Sequence, residues 1–280
     1  MQAEPRPVGA TTYAPLMTLS ADEITAAGLH FDVNDAVATV TLSRPDKRNA
    51  QTPAMWHALA SIGEQLPGTT RVVVVKGAGQ SFSAGLDRSM LDPATGDVAS
   101  LLQLDDEAVS KAIDGYQQGF TWLRDPRFIS IAAVQGYAIG AGFQLALSCD
   151  LRVVAEDVQF SMKEPALGLV PDLTGTKPLV EAVGYARALE ICATTRMVGA
   201  EEAVALGLAL SAVPVDGLDA AVAGLAEALT ANVAGAVVET KALLQSAAEL
   251  DLETQRRVER EAQVRRFREL AALMQGNPQG

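Results

Sequence analysis

Two glycine-rich stretches each follow an apolar, β-branched run. Gly77-Ala78-Gly79-Gln80-Ser81-Phe82-Ser83-Ala84-Gly85-Leu86-Asp87 follows residues 72–76, and Gly136-Tyr137-Ala138-Ile139-Gly140-Ala141-Gly142 follows residues 128–134. Small residues let a ligand oxygen approach the main chain, and a strand-to-helix turn aims amides outward at the positive end of a helix. Two such turns converging would form an oxyanion hole, a pair of N–H donors for a developing negative charge. The same glycines would also serve tight turns and close packing. The first stretch reads Gly-x-Gly-x-x-Phe and lacks the third glycine of a dinucleotide fingerprint; the second lacks the spacing. Neither continues into the Gly-Lys-Ser/Thr of a phosphate-binding loop.

Other chemistry-bearing residues form no such pattern. Ser83 and Ser148 lack the context of a nucleophile elbow. His30 and His57 have no acid or nucleophile motif beside them. Cys149 and Cys192 form no CxxC pair and no Cys/His cluster, so neither a disulfide framework nor a metal site is expected. A reducing, cytoplasmic compartment fits that usage. The 280 residues hold 22 Lys and Arg against 34 Asp and Glu, a net charge of −12. That balance argues against nucleic acid, which needs a basic face. It leaves a small anionic ligand open, because such a ligand senses a local patch. No stretch reaches the ~20 apolar residues of a membrane span, so no membrane partner is expected. With 49% hydrophobic and 20% charged residues, the chain has ample material for a core.

The elements that would carry the two turns recur along the chain. Residues 1–28, with Pro5, Pro7 and Pro15, read as a flexible lead-in and not as a signal peptide. Order is expected from Leu29, with strands at 30–33 and 36–42 around Asn34-Asp35. A helix starts at Gln51 or Thr52 and ends at Pro67-Gly68. Residues 72–76 and 128–134 are apolar enough for buried strands. An acidic stretch at 92–106 and a helix at 107–123 separate them. A helix follows at 143–148, then strands at 151–155 and 158–160. After Pro171 helices dominate. The reading is an α/β core over 29–200 and a helical region over 201–280.

Four segments, in order, resemble the crotonase superfamily, the enoyl-CoA hydratase/isomerase family. Leu42-Ser43-Arg44-Pro45-Asp46-Lys47-Arg48-Asn49-Ala50 resembles its RPxxxNA signature. Ser81 to Asp87 and Gln135 to Ala146 resemble its two oxyanion-hole segments, the second followed by Cys149-Asp150. Residues 160–176, with Glu164, Gly168 and Pro171, resemble its catalytic-glutamate segment. The resemblance implies a spiral of ββα units with a C-terminal helical trimerisation region, assembled as a homotrimer or as a hexamer of two trimers. It implies an acyl-CoA thioester substrate, with coenzyme A entering as part of the substrate and no separate cofactor. The thioester oxygen would sit between the amides of Ala84 and Ala141. Ala84, Gly85, Leu86, Asp87 and Gly140 would line the substrate site, and Arg44, Lys47 or Arg48 would approach the coenzyme phosphates. The segment from Leu273 onward lacks the family's usual Pro-x-Phe ending, so closure over the ligand is expected to differ.

The family's hydratases use two glutamates. Here the first of those positions matches Gln144, which cannot act as a base, and the second matches Glu164. A partly desolvated Glu164 would have its pKa raised into a useful range for acid/base work. One acid suffices to carry a proton between two carbons, which favours double-bond migration in an enoyl-CoA or dienoyl-CoA. The alternatives are hydration by Glu164 with Gln144, an acyl-CoA-binding protein without turnover, and another crotonase chemistry. Asp172 stands eight residues after Glu164, as in the dienoyl-CoA isomerase branch. It reads either as a second acid or as a helix N-cap before Leu173-Thr174.

Overall fold

A computed structural model describes residues 18–94 and 96–276. The strands β1 (Leu29–Asn34) and β2 (Val37–Leu42) form an antiparallel hairpin, in register from Leu29 opposite Leu42 to Asn34 opposite Val37. From β2 the pairing is parallel: β2 to β3 (Val72–Gly77), β3 to β4 (Ile129–Val134), β4 to β6 (Leu151–Ala155), and β6 to β9 (Ser211–Val213). A smaller sheet holds β5 (Tyr137–Ile139), β7 (Gln159–Ser161) and β8 (Val198–Gly199). The chain winds so that β4 and then β6 enter the large sheet while β5 and β7 enter the small one, which gives a spiral.

Helices close the layers. Helix α1 (Ala21–Ala26) precedes the hairpin, and α2 (Pro53–Gln65) connects β2 to β3. Helices α3 (Asp97–Leu101) and α4 (Asp106–Thr121) connect β3 to β4, and α5 (Ala141–Ser148) follows β5. Then come α6 (Thr176–Val183), α7 (Tyr185–Thr194) and α8 (Ala200–Ala205), and after β9 α9 (Leu218–Thr230), α10 (Ala234–Ala247) and α11 (Leu252–Gly276). The valines of β3 show why that strand is continuously apolar. Val73 and Val75 join the main core with Met55, Leu59 and Phe120, while Val72 and Val74 join a second core with Leu218, Val222 and Ala226 of α9. A parallel strand covered on both faces has no polar side. No single described helix is long and apolar enough to cross a bilayer.

Two expectations need correction. Order begins before Leu29, because Ser20 and Glu23 form a capping box at the start of α1 and Ile24 is buried. Residues 1–17 of the expected lead-in, and 277–280, lie outside the described residues. The region after residue 200 is not purely helical either, since β9 completes the large sheet and α9 covers its outer face.

The C-terminal helices are tied to the core by one buried cation. Lys241 Nζ of α10 donates to Asp150 Oδ2 at 2.7 Å, Phe128 O at 2.6 Å and Asp125 O at 2.7 Å. The same Asp150 oxygen accepts the Ser130 N–H at 2.8 Å. The two side chains are only 9% and 15% exposed. Removing one member of such a pair strands the other charge. Lys241→Met is therefore expected to cost roughly 3–5 kcal/mol in urea denaturation. The Asp150→Asn, Lys241→Met double variant should recover part of that loss.

Candidate active site

The two glycine-rich turns leave β3 and β4 side by side and are stitched together by their main chains. Phe82 N–H donates to Gln135 O, Ser83 N–H to Tyr137 O, and Ile139 N–H to Ser83 O, at 2.8 to 3.0 Å. Gly85, at φ +83°, is pressed onto the Ile139 carbonyl, which any Cβ would strike. A Cβ on Gly142 would lie 2.6 Å from Ser83 O. The positive φ and the close approach both demand glycine at position 85. Gly140 is the N-cap of α5, which has no side-chain cap.

This geometry moves one donor. The Ala84 N–H, expected to face the thioester oxygen, donates to Arg48 O at 2.8 Å and is occupied. The N–H groups of Leu86 and Ala141 have no hydrogen-bond acceptor among the described residues. They flank the close approach of Gly85 to the Ile139 carbonyl, and Ala141 N itself would lie 3.5 Å from a Cβ on Gly85. The available pair is Leu86 with Ala141.

The segment from Arg44 to Gln51 holds the first turn in place. Arg48 and Asn49 both have left-handed φ, +49° and +53°. This turns the buried Asn49 inward, where Nδ2 donates to Ala78 O and Ser81 O and Oδ1 accepts the Arg44 N–H. Ser83 Oγ donates to Asn49 O and accepts from Gln51 Nε2, and Gln51 Oε1 accepts the Trp56 indole N–H. These four residues had no assigned role from sequence, although Asn49 lies in the quoted signature. Arg44 also departs from expectation. Its guanidinium donates to Ala50 O and to Asp87 Oδ2 at 2.8 Å, so it braces the turn. Burial pushes the Asp87 carboxyl up, but Ser89 N–H and Oγ, with Arg44, outweigh it and hold the group below the usual range. Asp87 is thus a brace and the cap of the short turn Arg88–Leu91. Lys47 and Arg48 are exposed, and Arg48 lies 5.6 Å from the Tyr137 ring centre.

The acids sit beside the second turn. Glu164 is buried, and its carboxylate lies against Gly140. Its Oε1 accepts from Gln144 Nε2 at 2.6 Å, while its Oε2 is buried with no partner. Burial pushes the Glu164 carboxyl above the usual range; its own backbone N–H and Gln144 oppose this, and the charge of Asp172 adds to it. Burial likewise raises Asp172. Asp172 caps no helix, because α6 starts at Thr176 with Gly175 as its N-cap. That removes one of its two sequence readings.

A family model described as enoyl-CoA hydratase/isomerase matches residues 32–272. The chain belongs to the enoyl-CoA hydratase/isomerase family. A Thermobifida fusca protein described as an enoyl-CoA hydratase, solved in complex with CoA, is 49% identical and superposes with a TM-score of 0.87 over 92% of this chain and 100% of its own. A Rhodobacter capsulatus protein described as an enoyl-CoA hydratase is 33% identical over 186 residues, 66% of this chain and 68% of its own length. The rat mitochondrial Delta(3,5)-Delta(2,4)-dienoyl-CoA isomerase is 32% identical over 194 residues, 66% of this chain and 56% of its own length. The α/β spiral with a helical C-terminal part is the crotonase fold of these structures.

The raised carboxyl makes a signed prediction. Near pH 4 Glu164 is largely neutral in both the folded and the unfolded chain. As pH rises toward its raised folded pKa, the unfolded chain ionises first and stability falls. Glu164→Gln should therefore gain thermal stability over the wild type between pH 4 and pH 8, with little difference at pH 4. A stability difference that stays constant with pH, measured by scanning calorimetry, would contradict the raised pKa.

Proposed function

We propose that this crotonase-family enzyme shifts the double bond of an enoyl-CoA or dienoyl-CoA, with Glu164 as the proton shuttle. The observation that carries the proposal is the Glu164 Oε2 atom, buried and unpartnered next to a turn with a free amide. Glu164 takes a proton from the carbon next to the thioester or its vinylogue. The electron pair moves onto the thioester oxygen, where the Leu86 and Ala141 amides stabilise the enolate. Protonation at a different carbon completes the shift, and no water is consumed. Glu164 returns the proton in a short system; Asp172 serves the far carbon in a dienoyl system.

Hydration is the second reading, favoured by the hydratase descriptions of relatives. The orientation of Gln144 weighs against it. Its oxygen already accepts two main-chain N–H groups and its nitrogen already donates to Glu164, so it presents no free acceptor to activate water. Lys47 and Arg48 are the cations proposed to approach the coenzyme phosphates. The same proposal includes a cytoplasmic homotrimer or hexamer. The exposed Val264, Phe267 and Leu270 on α11, with two free cysteines, support that part.

The test offers a 3-enoyl-CoA, a 3,5-dienoyl-CoA and crotonyl-CoA to the purified protein and follows products by absorbance and mass. Isomerisation is expected, with Glu164→Gln lowering kcat by at least about 10²-fold. Asp172→Asn should impair only the dienoyl substrate. Turnover of crotonyl-CoA alone would replace the proposal with hydration. Tight acyl-CoA binding with no reaction would indicate a binding protein.

A further inference from the structure

Gln144 is wholly buried and meets the acid loop at three points. Its Oε1 accepts the Leu173 N–H at 2.9 Å and the Gly175 N–H at 3.2 Å. Those two donors can converge on one oxygen because Thr174 between them is left-handed, at φ +68°. Alternation of backbone hand makes a small concave nest of N–H groups that favours an anionic or strongly accepting oxygen. A β-branched residue in that conformation costs on the order of 1–3 kcal/mol and persists only where its surroundings enforce it. The surroundings here are the Gln144 side chain. Its methylenes also occupy the space beside Gly175, where a Cβ would lie 2.6 Å from Gln144 Cγ. Gln117 of α4 holds the same loop from the other side, with Nε2 donating to the Asp172 carbonyl at 2.7 Å.

An amide oxygen held by two N–H donors leaves its NH2 group no choice of direction. It points at Glu164 Oε1. We propose that Gln144 is a positioning residue that pins the Glu164 carboxyl by one oxygen, so that protons are exchanged at Oε2 alone, and that ties this carboxyl to the loop bearing Asp172. The role deepens the isomerase reading and concerns the same site. A donor to the carboxylate stabilises the charged form, which counters burial. The other titratable groups coupled to Glu164 are Asp172 in its own loop and Cys192 from α7, whose thiol is itself raised by burial and then by Glu164. Helix α5 carries no charged residue.

Two variants separate positioning from folding. Gln144→Met removes the donor and leaves the nest empty. Gln144→Glu keeps an acceptor in the nest but replaces the donor with a second carboxyl, so that the pair must share a proton. In both, the Glu164 titration midpoint, read by carboxyl carbon NMR on the ligand-free protein and assigned with Glu164→Gln, is expected to rise by about one unit or more. The acid limb of kcat/KM should move up in parallel, lowering turnover about tenfold on that limb with little change at high pH. At pH 4, where both carboxyls are largely protonated, Gln144→Glu should keep a melting temperature close to the wild type, which separates the donor's effect from loss of structure. An unchanged midpoint in both variants, or activity lost equally at every pH, overturns the proposal. A wild type that turns over no substrate sinks the isomerase reading alone, because the NMR midpoints still decide the role of Gln144.

Discussion

The site depends on one contact, the main chain of Gly85 lying against the carbonyl of Ile139. Van der Waals repulsion leaves no room there for any side chain. Because β3 and β4 are paired in register, their exits are neighbours, and the contact brings two turns from different parts of the chain to one point. Everything polar around it keeps that approach from drifting. The ladder from Phe82 to Ile139 ties turn to turn, and Asn49 ties the first turn to the segment before α2. For the proposed reaction the energetic return is preorganisation: amides already in place need not reorganise as negative charge grows.

Much of this was readable in the residues, and the failures have physical causes. The buried strands announced themselves because a sheet covered on both faces needs apolar runs without alternation. The glycine turns were evident from composition. The resemblance points to the Ala84 amide in the first turn, whereas the amide there without an acceptor is that of Leu86, because which amide faces outward depends on the φ of Gly85 and not on its neighbours' identities. The bracing role of Arg44 is not legible in the sequence. Its partner, Asp87, lies 43 positions away and only the fold brings them together. Helix α1 is masked in the sequence by the prolines before it, although Ser20 and Glu23 have capping-box spacing. Strand β9 is three residues long, too short for any periodicity.

Charge inside the molecule is handled in two opposite ways. Lys241 and Asp150 neutralise each other, Lys241 donates to two carbonyls and Asp150 accepts the Ser130 N–H, so their burial serves structure. Glu164 is buried with half of its carboxylate unsatisfied. A buried carboxylate oxygen without a partner among the described residues is the mark of a candidate functional group. The overall acidity of the chain has no bearing on either site, since each is set by groups within a few ångströms.

The Lys241 anchor also has a consequence in time. The cation that pairs with Asp150 lies 91 positions further along the chain. At synthesis rates of about 5–20 residues per second, that interval lasts roughly 5–20 seconds. Throughout it the nascent sheet carries a carboxylate without its counterion, and until residues 211–230 are made it also has an uncovered outer face and no β9 at its edge. Such surfaces are those that invite association with other chains. The protein's most exposed moment is therefore its own birth, and the C-terminal helices act last, as the piece that closes the sheet and ends that vulnerability.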